Sequence, residues 1–450
     1  MPQDDEQIVA AVIADAAPGP RARARTGPVP GEGIDPATLT STVPVAGAAR
    51  HRLVVSMLVA NFFLFATYAG VIAILLPQQL AMLDEANKIA NLAIVTGTSS
   101  LFTLFAQPIV GAFSDRTRSR LGRRSPWLLL GGLGGGVLTI VLQFAPGVFW
   151  ITVVWVTAQM LLNAFQGPLS AIIADRIPRD GRATASAFAG AGTAIGGTIG
   201  VVVAGQLLAQ LGVAYALLGA GVIVVTLLFV LVNRDRDSRA LPIGPFRWGP
   251  FLRSFWVSPR RHPDYAWAFA GRFVMVLGYQ GVQAYQFYIL TDHLHLTPID
   301  AGGVAGMLSL VSMVTLVIGT LVFGRLSDRL QRRKVFVFTA SIVIALGVAI
   351  PLFVPTVPAM VVYSLIVGIG YGAYSAVDVA LMVDVLPSQG DAGKDLGVLN
   401  VATNIPQALT PVVAATLLSL SGGNYAAIFG FAALMVLLSS VLVFPIRSVR

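Results

Sequence analysis

Residues 111–124 read Gly-Ala-Phe-Ser-Asp-Arg-Thr-Arg-Ser-Arg-Leu-Gly-Arg-Arg, and residues 324–329 repeat the start of this stretch as Gly-Arg-Leu-Ser-Asp-Arg. Two other segments repeat at nearly the same offset: 174–178 matches 383–387, and 68–71 matches 279–282. Three matches about 210 residues apart are hard to obtain by chance and indicate a duplicated unit. The sequence therefore predicts two related halves joined by a central segment.

The composition places these halves in a membrane. The chain has 450 residues, of which 56% are hydrophobic and only 11% are charged, whereas a soluble chain carries about 25% charged residues. Apolar stretches of about 20 residues, the length that crosses a bilayer, number twelve. They occupy 53–76, 89–113, 126–145, 148–173, 184–208, 213–232, 265–290, 301–324, 335–354, 357–383, 395–419 and 424–446. We predict an all-α polytopic membrane protein with twelve transmembrane helices in two pseudo-symmetric six-helix bundles.

The polar segments divide the chain into domains. Residues 1–50 are rich in Ala, Pro, Gly and Arg and lack the apolar core of a signal peptide, so we predict a disordered tail. The N-terminal bundle is predicted at 51–232 and the C-terminal bundle at 265–446. An Arg-rich loop at 233–264 joins them, and 447–450 form the C-terminus.

The basic residues predict the orientation. If the N-terminus is cytosolic, all but Lys88 and Arg272 of the 30 lysines and arginines lie on the cytosolic side. Both termini are then cytosolic, and the positive charge faces anionic lipid headgroups rather than nucleic acid. The low lysine content indicates a GC-rich bacterial genome. We expect a bacterial inner-membrane protein that functions as a monomer.

These features resemble the major facilitator superfamily. The loop motif at 111–124, with Pro168 through Asp175 followed by Arg182, is most similar to the glycoside–pentoside–hexuronide and sucrose-type cation symporters. The resemblance implies transport by alternating access, with a cytosolic gate that locks the outward-facing state. Its residues would be Gly111, Asp115, Arg116, Arg123, Arg124, Asp175, Asp328, Arg329 and Asp384. A solvated charge cluster that only fixes the orientation is the alternative.

Two departures separate the chain from the drug:proton antiporters of that superfamily. Asn163 precedes Gln166-Gly167 where those proteins carry a basic residue, and the fifth span lacks their proline. Proton-coupled efflux of a metabolite or drug stays as the alternative to symport, and a non-transporting membrane sensor is a more distant one. Glycines of the fifth span, Gly196, Gly197 and Gly200, are expected to allow close helix packing.

Two charged residues lie well inside predicted spans. Arg272 in span 7 and Asp378 in span 10 are each about seven residues, or roughly 10 Å, from the cytosolic end. Charges in hydrocarbon are costly and usually functional, so we predict a pair in which Asp378 carries the coupling proton, with sodium as the other candidate ion. A carboxylate beside an arginine stays ionised, and separating the two favours protonation. The alternative is that the Arg272–Asp378 pair only stabilises the packing of the two spans and has no role in coupling.

Polar side chains repeat along one face of several spans. Amides and phenols that surround a midplane cavity suit a neutral, hydroxyl-rich ligand, because each hydroxyl needs a donor and an acceptor. The alternative is that they only hold helices together. The predicted substrate pathway comprises Asn61, Tyr68, Gln159, Asn163, Gln166, Tyr279, Gln283, Gln286, Tyr371, Tyr374, Asn400 and Asn404.

Other chemistry finds little support in the sequence. There is no cysteine, which excludes disulfides and thiolate metal sites. The segment 292–295, Asp-His-Leu-His, offers no third ligand and is predicted to be surface, and no phosphate-binding loop is present. We therefore predict no enzyme activity, no metal site and no cofactor.

Overall fold

The computed structural model describes residues 45–235, 237–239, 262–330, 332–385 and 392–446. Residues 1–44 of the predicted tail (1–50) and most of the central loop lie outside these ranges, whereas 47–50 belong to helix α1. The described residues form twelve long helices. They are α1 Gly47–Leu83, α2 Lys88–Arg116, α3 Ser125–Phe144, α4 Val148–Arg176, α5 Arg182–Gln206, α6 Leu211–Val232, α7 Pro263–Ala284, α8 Pro298–Leu330, α9 Arg333–Phe353, α10 Val357–Asp384, α11 Ala392–Leu420 and α12 Ala426–Leu442.

Length and hydropathy allow nine of the helices found in the described residues to cross a membrane. Helix α12 is also apolar but has only 17 residues. Helix α7 ends at Ala284 and is continued by a short turn, Gln286–Tyr288, and a π-helical turn, Ile289–His293. Because a backbone in lipid must satisfy its own hydrogen bonds, helices are the form that these apolar segments take.

The two halves repeat the same helix contacts. Helix α1 packs on α5 and α6, α2 packs on α4, and α3 packs on α4 and α6. Six helices later, α7 packs on α11 and α12, α8 on α10, and α9 on α10 and α12. The predicted pseudo-symmetric pair of six-helix bundles is confirmed.

Glycines set the distance between α1 and α5. A Cβ atom on Gly196 would lie 2.2 Å from the carbonyl oxygen of Phe62, and one on Gly200 would lie 2.1 Å from that of Ala66. Such distances are possible only without a side chain, as in close helix pairs in membranes. Gly197 differs from the expectation, since its Cβ would meet only Ala69, at an ordinary 3.9 Å.

The halves meet through two symmetry-related helix pairs, α2 with α11 and α5 with α8. We call the end of the bundle where α2 meets α3 and α8 meets α9 the basic end. The end where α1 meets α2 and α7 meets α8 is the opposite end. Near the opposite end Gly205 of α5 and Gly302 of α8 touch backbone to backbone, with a Cβ on Gly205 falling 2.2 Å from the Gly302 carbonyl oxygen.

Candidate functional site

A cavity of about 520 Å³ lies between the two halves. Helices α1, α2, α4 and α5 line it from one half, and α7, α8 and α11 line it from the other. Its volume is within the range of about 300–1,000 Å³ that small-molecule sites occupy. The amides that line it are Gln159, Asn163, Gln166, Gln280, Gln283, Gln286, Asn404 and Gln407. Hydroxyl groups come from Tyr68, Thr96, Ser99, Ser100, Thr103, Ser309 and Thr410.

No charged side chain is among the lining residues that the structure describes. Phe65, Ile72 and Leu104 add apolar surface on the side of the N-terminal half. The wall therefore offers many neutral donors and acceptors with some apolar area, and it suits a neutral polar molecule better than an ion.

The structure separates the predicted pathway residues into two groups. The residues that line the cavity are Tyr68, Gln159, Asn163, Gln166, Gln283, Gln286 and Asn404. Asn61 is not among the lining residues: it is buried, and its Nδ2 donates to the carbonyl oxygen of Met57 on its own helix at 2.8 Å. Tyr279, Tyr371 and Tyr374 do not line the cavity either, and the side chain of Asn400 lies outside the described part.

Helix α2 contributes four hydroxyl side chains to the cavity wall that were not predicted from the sequence. Thr96, Ser99, Ser100 and Thr103 follow the spacing i, i+3, i+4, i+7 and line the cavity together. This spacing places residues on one helix face, so the signal was present in the sequence. Gln280 on α7 was also missed.

Arg272 and Asp378 form an ion pair within the C-terminal half. Arg272 Nη1 lies 3.1 Å from Asp378 Oδ2, and the Asp378 side chain is only 7% exposed. Arg272 Nε also donates to Thr403 Oγ1 at 3.1 Å, and Tyr374 Oη donates to Asp378 Oδ1 at 3.2 Å. The pair joins α7, α10 and α11 of one half and is hydrogen-bonded on both sides.

Three tyrosines connect this pair with the cavity. Tyr374, which binds Asp378, lies next to Tyr371 with ring centroids 6.2 Å apart. Tyr371 stacks on Tyr279 at 4.0 Å with the rings inclined by 8°. Gln283 Nε2 donates to Tyr279 Oη at 3.3 Å, and Gln283 itself lines the cavity. A continuous set of contacts thus leads from the cavity wall to the buried carboxylate.

The opposite end is held closed by an ion pair between the halves. Lys88 Nζ of α2 lies 2.8 Å from Asp292 Oδ1 at the end of the α7 extension, and 2.6 Å from Glu85 of its own half. Tyr425 Oη donates to Asp292 Oδ2 at 2.7 Å. Asp292, predicted to be a surface residue, is 25% exposed and shares its side chain between Lys88 and Tyr425.

Two buried tyrosines strengthen this closure. Tyr288 Oη donates to the carbonyl oxygen of Pro77 in α1 at 2.9 Å, and Lys88 Nζ lies 5.2 Å from the centroid of the Tyr288 ring. Tyr285 Oη lies 3.2 Å from the carbonyl oxygen of Ile89 in α2. These contacts join α1 and α2 of one half to the α7 extension of the other.

Arg124 lies at the centre of a cluster at the basic end. Its Nη2 is 2.6 Å from Asp115 Oδ1, its Nε donates to Asp175 Oδ2 at 2.9 Å, and its Nη1 donates to Ser114 Oγ. Arg123 Nη2 lies 2.6 Å from Asp175 Oδ1. All these residues belong to the N-terminal half, so in this structure the cluster fastens the loop between α2 and α3 to α2 and α4. The gating role stays a prediction.

The other predicted gate residues are placed as follows. Arg116 ends α2, and Asp328 and Arg329 lie in the last turn of α8. Within the described part of the chain, a Cβ atom on Gly111 would meet nothing within 4 Å, so no close contact there explains this glycine. Asp384 ends α10, and its side chain is not described.

The described residues thus form twelve helices in two related halves around a polar cavity, the architecture of a multi-pass membrane transporter of small molecules. The sequence model of the Major Facilitator Superfamily matches residues 54–321 and 289–450. The chain belongs to the Major Facilitator Superfamily, as predicted from its motifs.

Individual proteins support this assignment. The chain is 24% identical to "MFS transporter asaE" of Aspergillus flavus over 78% of its own length and 76% of that protein. It is 32% identical to "Sucrose transport protein SUC4" of Arabidopsis thaliana over 18% of its own length and 19% of that protein. Among solved structures, a bacterial homologue of the human lysosomal transporter Spinster has the same fold, with a TM-score of 0.68 at 15% identity over 89% of this chain and 96% of that one.

Proposed function

We propose that the protein is a secondary active transporter that imports a neutral, hydroxyl-rich solute of the sugar or glycoside class together with a proton. The observation that carries the substrate class is the cavity wall of amides and hydroxyls without a charged side chain among its described residues. Each sugar hydroxyl both donates and accepts a hydrogen bond, and a primary amide offers both. The described lining residues include no carboxylate that would neutralise a cationic drug.

The Arg272–Asp378 pair supports the coupling step. A buried carboxylate that loses its arginine partner is more easily protonated, and the tyrosine contacts give the cavity wall a route to this carboxylate. A ligand that binds Gln283 would compete with the hydrogen bond from Gln283 to Tyr279. It would thereby shift the stacked rings of Tyr279 and Tyr371. Proton binding and solute binding would then favour the same rearrangement.

Alternating access follows from the two ends of the bundle. The excess of basic residues at the basic end supports a cytosolic position for that end and for both termini. The contacts at the opposite end, Lys88 with Asp292 and Tyr288 with Pro77, would then close the cavity to the outside. Rocking of the halves would break these contacts and bring the Arg124 cluster closer to the loop between α8 and α9.

The partial similarity to a sucrose transport protein agrees with the substrate class. The first test is a thermal-shift screen of the detergent-purified full chain against mono- and disaccharides, glycosides and lipophilic cations, because a bound ligand stabilises the folded state. Stabilisation by saccharides or glycosides is expected. Stabilisation by lipophilic cations alone would contradict the proposal and favour drug efflux.

A further inference from the structure

A histidine at the opposite end carries a buried nitrogen atom without a hydrogen-bond partner. His293 directly follows Asp292, which pairs with Lys88 across the two halves, and it lies beyond the predicted span that ends at 290. Its Nε2 is buried, and none of the described residues forms a hydrogen bond with it. Most buried polar atoms in folded proteins have such a partner, so the environment of this imidazole is unusual.

Aromatic rings hold the imidazole in place. The ring centroid of His293 lies 6.1 Å from that of Tyr425 and 6.5 Å from that of Phe429 on α12. The hydroxyl of Tyr425 donates to Asp292 Oδ2 at 2.7 Å, so one tyrosine contacts both the histidine and the neighbouring carboxylate. The position of His293 is thus linked to the residue that joins the two halves.

The carboxylate of Asp292 already has other partners in this structure. Its Oδ1 lies 2.8 Å from Lys88 Nζ and accepts from Thr291 Oγ1 at 2.8 Å, while its Oδ2 accepts from Tyr425. A protonated imidazole has two N–H donors and a positive charge. In the closed arrangement, the described residues offer it neither an acceptor at Nε2 nor a carboxylate that lacks a cation.

The ionisable groups around His293 come from each element near it. They are Tyr288 and Asp292 on the α7 extension, His295 in the following loop, Asp300 in the first turn of α8, Tyr363 on α10, Tyr425 before α12, and Lys88 and Glu85 of the other half. Burial lowers the pKa of His293 below its ordinary value, and the charge of His295 adds to this effect. The closed arrangement therefore favours the neutral imidazole.

We propose that His293 is a second proton-binding site of the protein, at which protonation competes with Lys88 for Asp292. While Lys88 holds the carboxylate, His293 stays neutral. When Lys88 withdraws, the carboxylate can accept from the protonated imidazole of the next residue. A ligand shifts an equilibrium toward the state that binds it more tightly, so acid favours opening of the opposite end. This site is separate from the Arg272–Asp378 pair and does not depend on which solute is carried.

The distance between the halves at the opposite end tests the proposal. The native chain has no cysteine, so Ala86→Cys and Ile299→Cys provide a unique pair of spin-label sites, both exposed and one in each half. Double electron–electron resonance on the detergent-purified full chain measures this distance. From pH 8 to pH 5 the fraction with the longer distance should rise about threefold, mainly below the ordinary imidazole pKa of about 6.5. Ordinary carboxyl groups stay largely ionised at pH 5.

Two substitutions remove the titrating group in different ways. His293→Gln keeps a hydrogen-bonding side chain, and His293→Phe keeps the aromatic contacts with α12. In both, the fraction with the longer distance should stay within about 1.5-fold over the same pH range. His295→Asn is the matched control, because His295 is exposed and asparagine tolerates its φ of 57°. This control should keep the rise.

The remaining outcomes would overturn the proposal. A wild-type distance distribution that does not change with pH contradicts it, and so does a rise that persists in either His293 variant. Loss of the rise in Asp378→Asn would assign the pH response to the pair inside the C-terminal half instead. The proposed function stands in each of these cases, because solute binding and coupling through Asp378 do not require His293.

Discussion

Arg272 of α7 and Asp378 of α10 form an ion pair inside one half of the molecule, 3.1 Å apart, and not across the interface between the halves. The pair therefore does not hold the two halves together. It lies instead where α7 packs against α10 and α11, and both α7 and α11 carry cavity residues. Such a placement fits a pair that senses the bound solute from within its own half.

The first prediction concerns the stability of this pair. Arg272→Gln alone should lower the free energy of unfolding by about 3 kcal/mol, because it leaves Asp378 buried without its partner. The double variant Arg272→Gln/Asp378→Asn should recover much of that loss, since no uncompensated charge remains. Thermal unfolding of the detergent-purified chains at neutral pH measures both. A double variant that is less stable than Arg272→Gln would contradict this prediction, because it would show that the Asp378 carboxylate stabilises the chain without Arg272.

Packing between α1 and α5 gives the second prediction. Gly200→Ala should destabilise the chain by about 1–3 kcal/mol, because its Cβ would lie 2.1 Å from the Ala66 carbonyl oxygen and backbone must move. Gly197→Ala, three residues away, should be neutral or slightly stabilising, because its Cβ would meet Ala69 at 3.9 Å and alanine favours a helix. Unfolding temperatures compare the two variants directly. Equal effects would contradict the close approach at Gly200.

The third prediction tests the closure of the opposite end. Asp292→Asn should increase the labelling rate of Ala73→Cys by a maleimide applied from that end, since Ala73 lines the cavity. The native chain has no cysteine, so the probe is unique. Loss of about 1–2 kcal/mol of closure corresponds to a 5–30-fold higher rate.

Glu85 provides the control for this experiment. Glu85→Gln removes the other partner of Lys88, but that partner lies in the same half and its side chain is 70% exposed. Exposed pairs contribute little, so the labelling rate should stay within about twofold. An effect of Glu85→Gln as large as that of Asp292→Asn would mean that the charge on Lys88, rather than the bond between the halves, controls the closure.

Orientation is the fourth prediction. Leu121→Cys in the loop between α2 and α3 should react only from the cytosol, and Ala86→Cys in the loop between α1 and α2 only from outside. An impermeant maleimide applied to intact cells and to inverted vesicles makes the comparison. Reaction of both cysteines from one face would contradict the assigned topology.

The helices and much of the cavity were predictable because both depend on local periodicity. Gln159, Asn163 and Gln166 line the cavity, as their spacing on one helix face indicated. The stripe from Thr96 to Thr103 has the same kind of signal and was missed because single hydroxyls in a span are common. Asn61 shows the limit of such reasoning, since an amide on a helix can bind its own backbone, as it does at Met57.

The closure of the opposite end was not predictable from local patterns. Lys88 and Asp292 are separated by 204 positions, and their contact depends on how the two halves are inclined toward each other. Nothing in the neighbourhood of Asp292 in the sequence indicates Lys88 or Tyr425. The unpaired Nε2 atom of His293 is likewise a property of the packed structure, because only the structure shows which side chains lack partners.

Uptake into proteoliposomes under an imposed proton gradient tests the central claim most directly. When the outside is acidic, the wild-type chain should accumulate a sugar that it binds, so that the internal concentration of that sugar exceeds the external one. Asp378→Asn should still exchange the sugar across the membrane, but the internal concentration should only reach the external one. Accumulation by Asp378→Asn as high as that of the wild type, or wild-type uptake that ignores the proton gradient, would contradict the account.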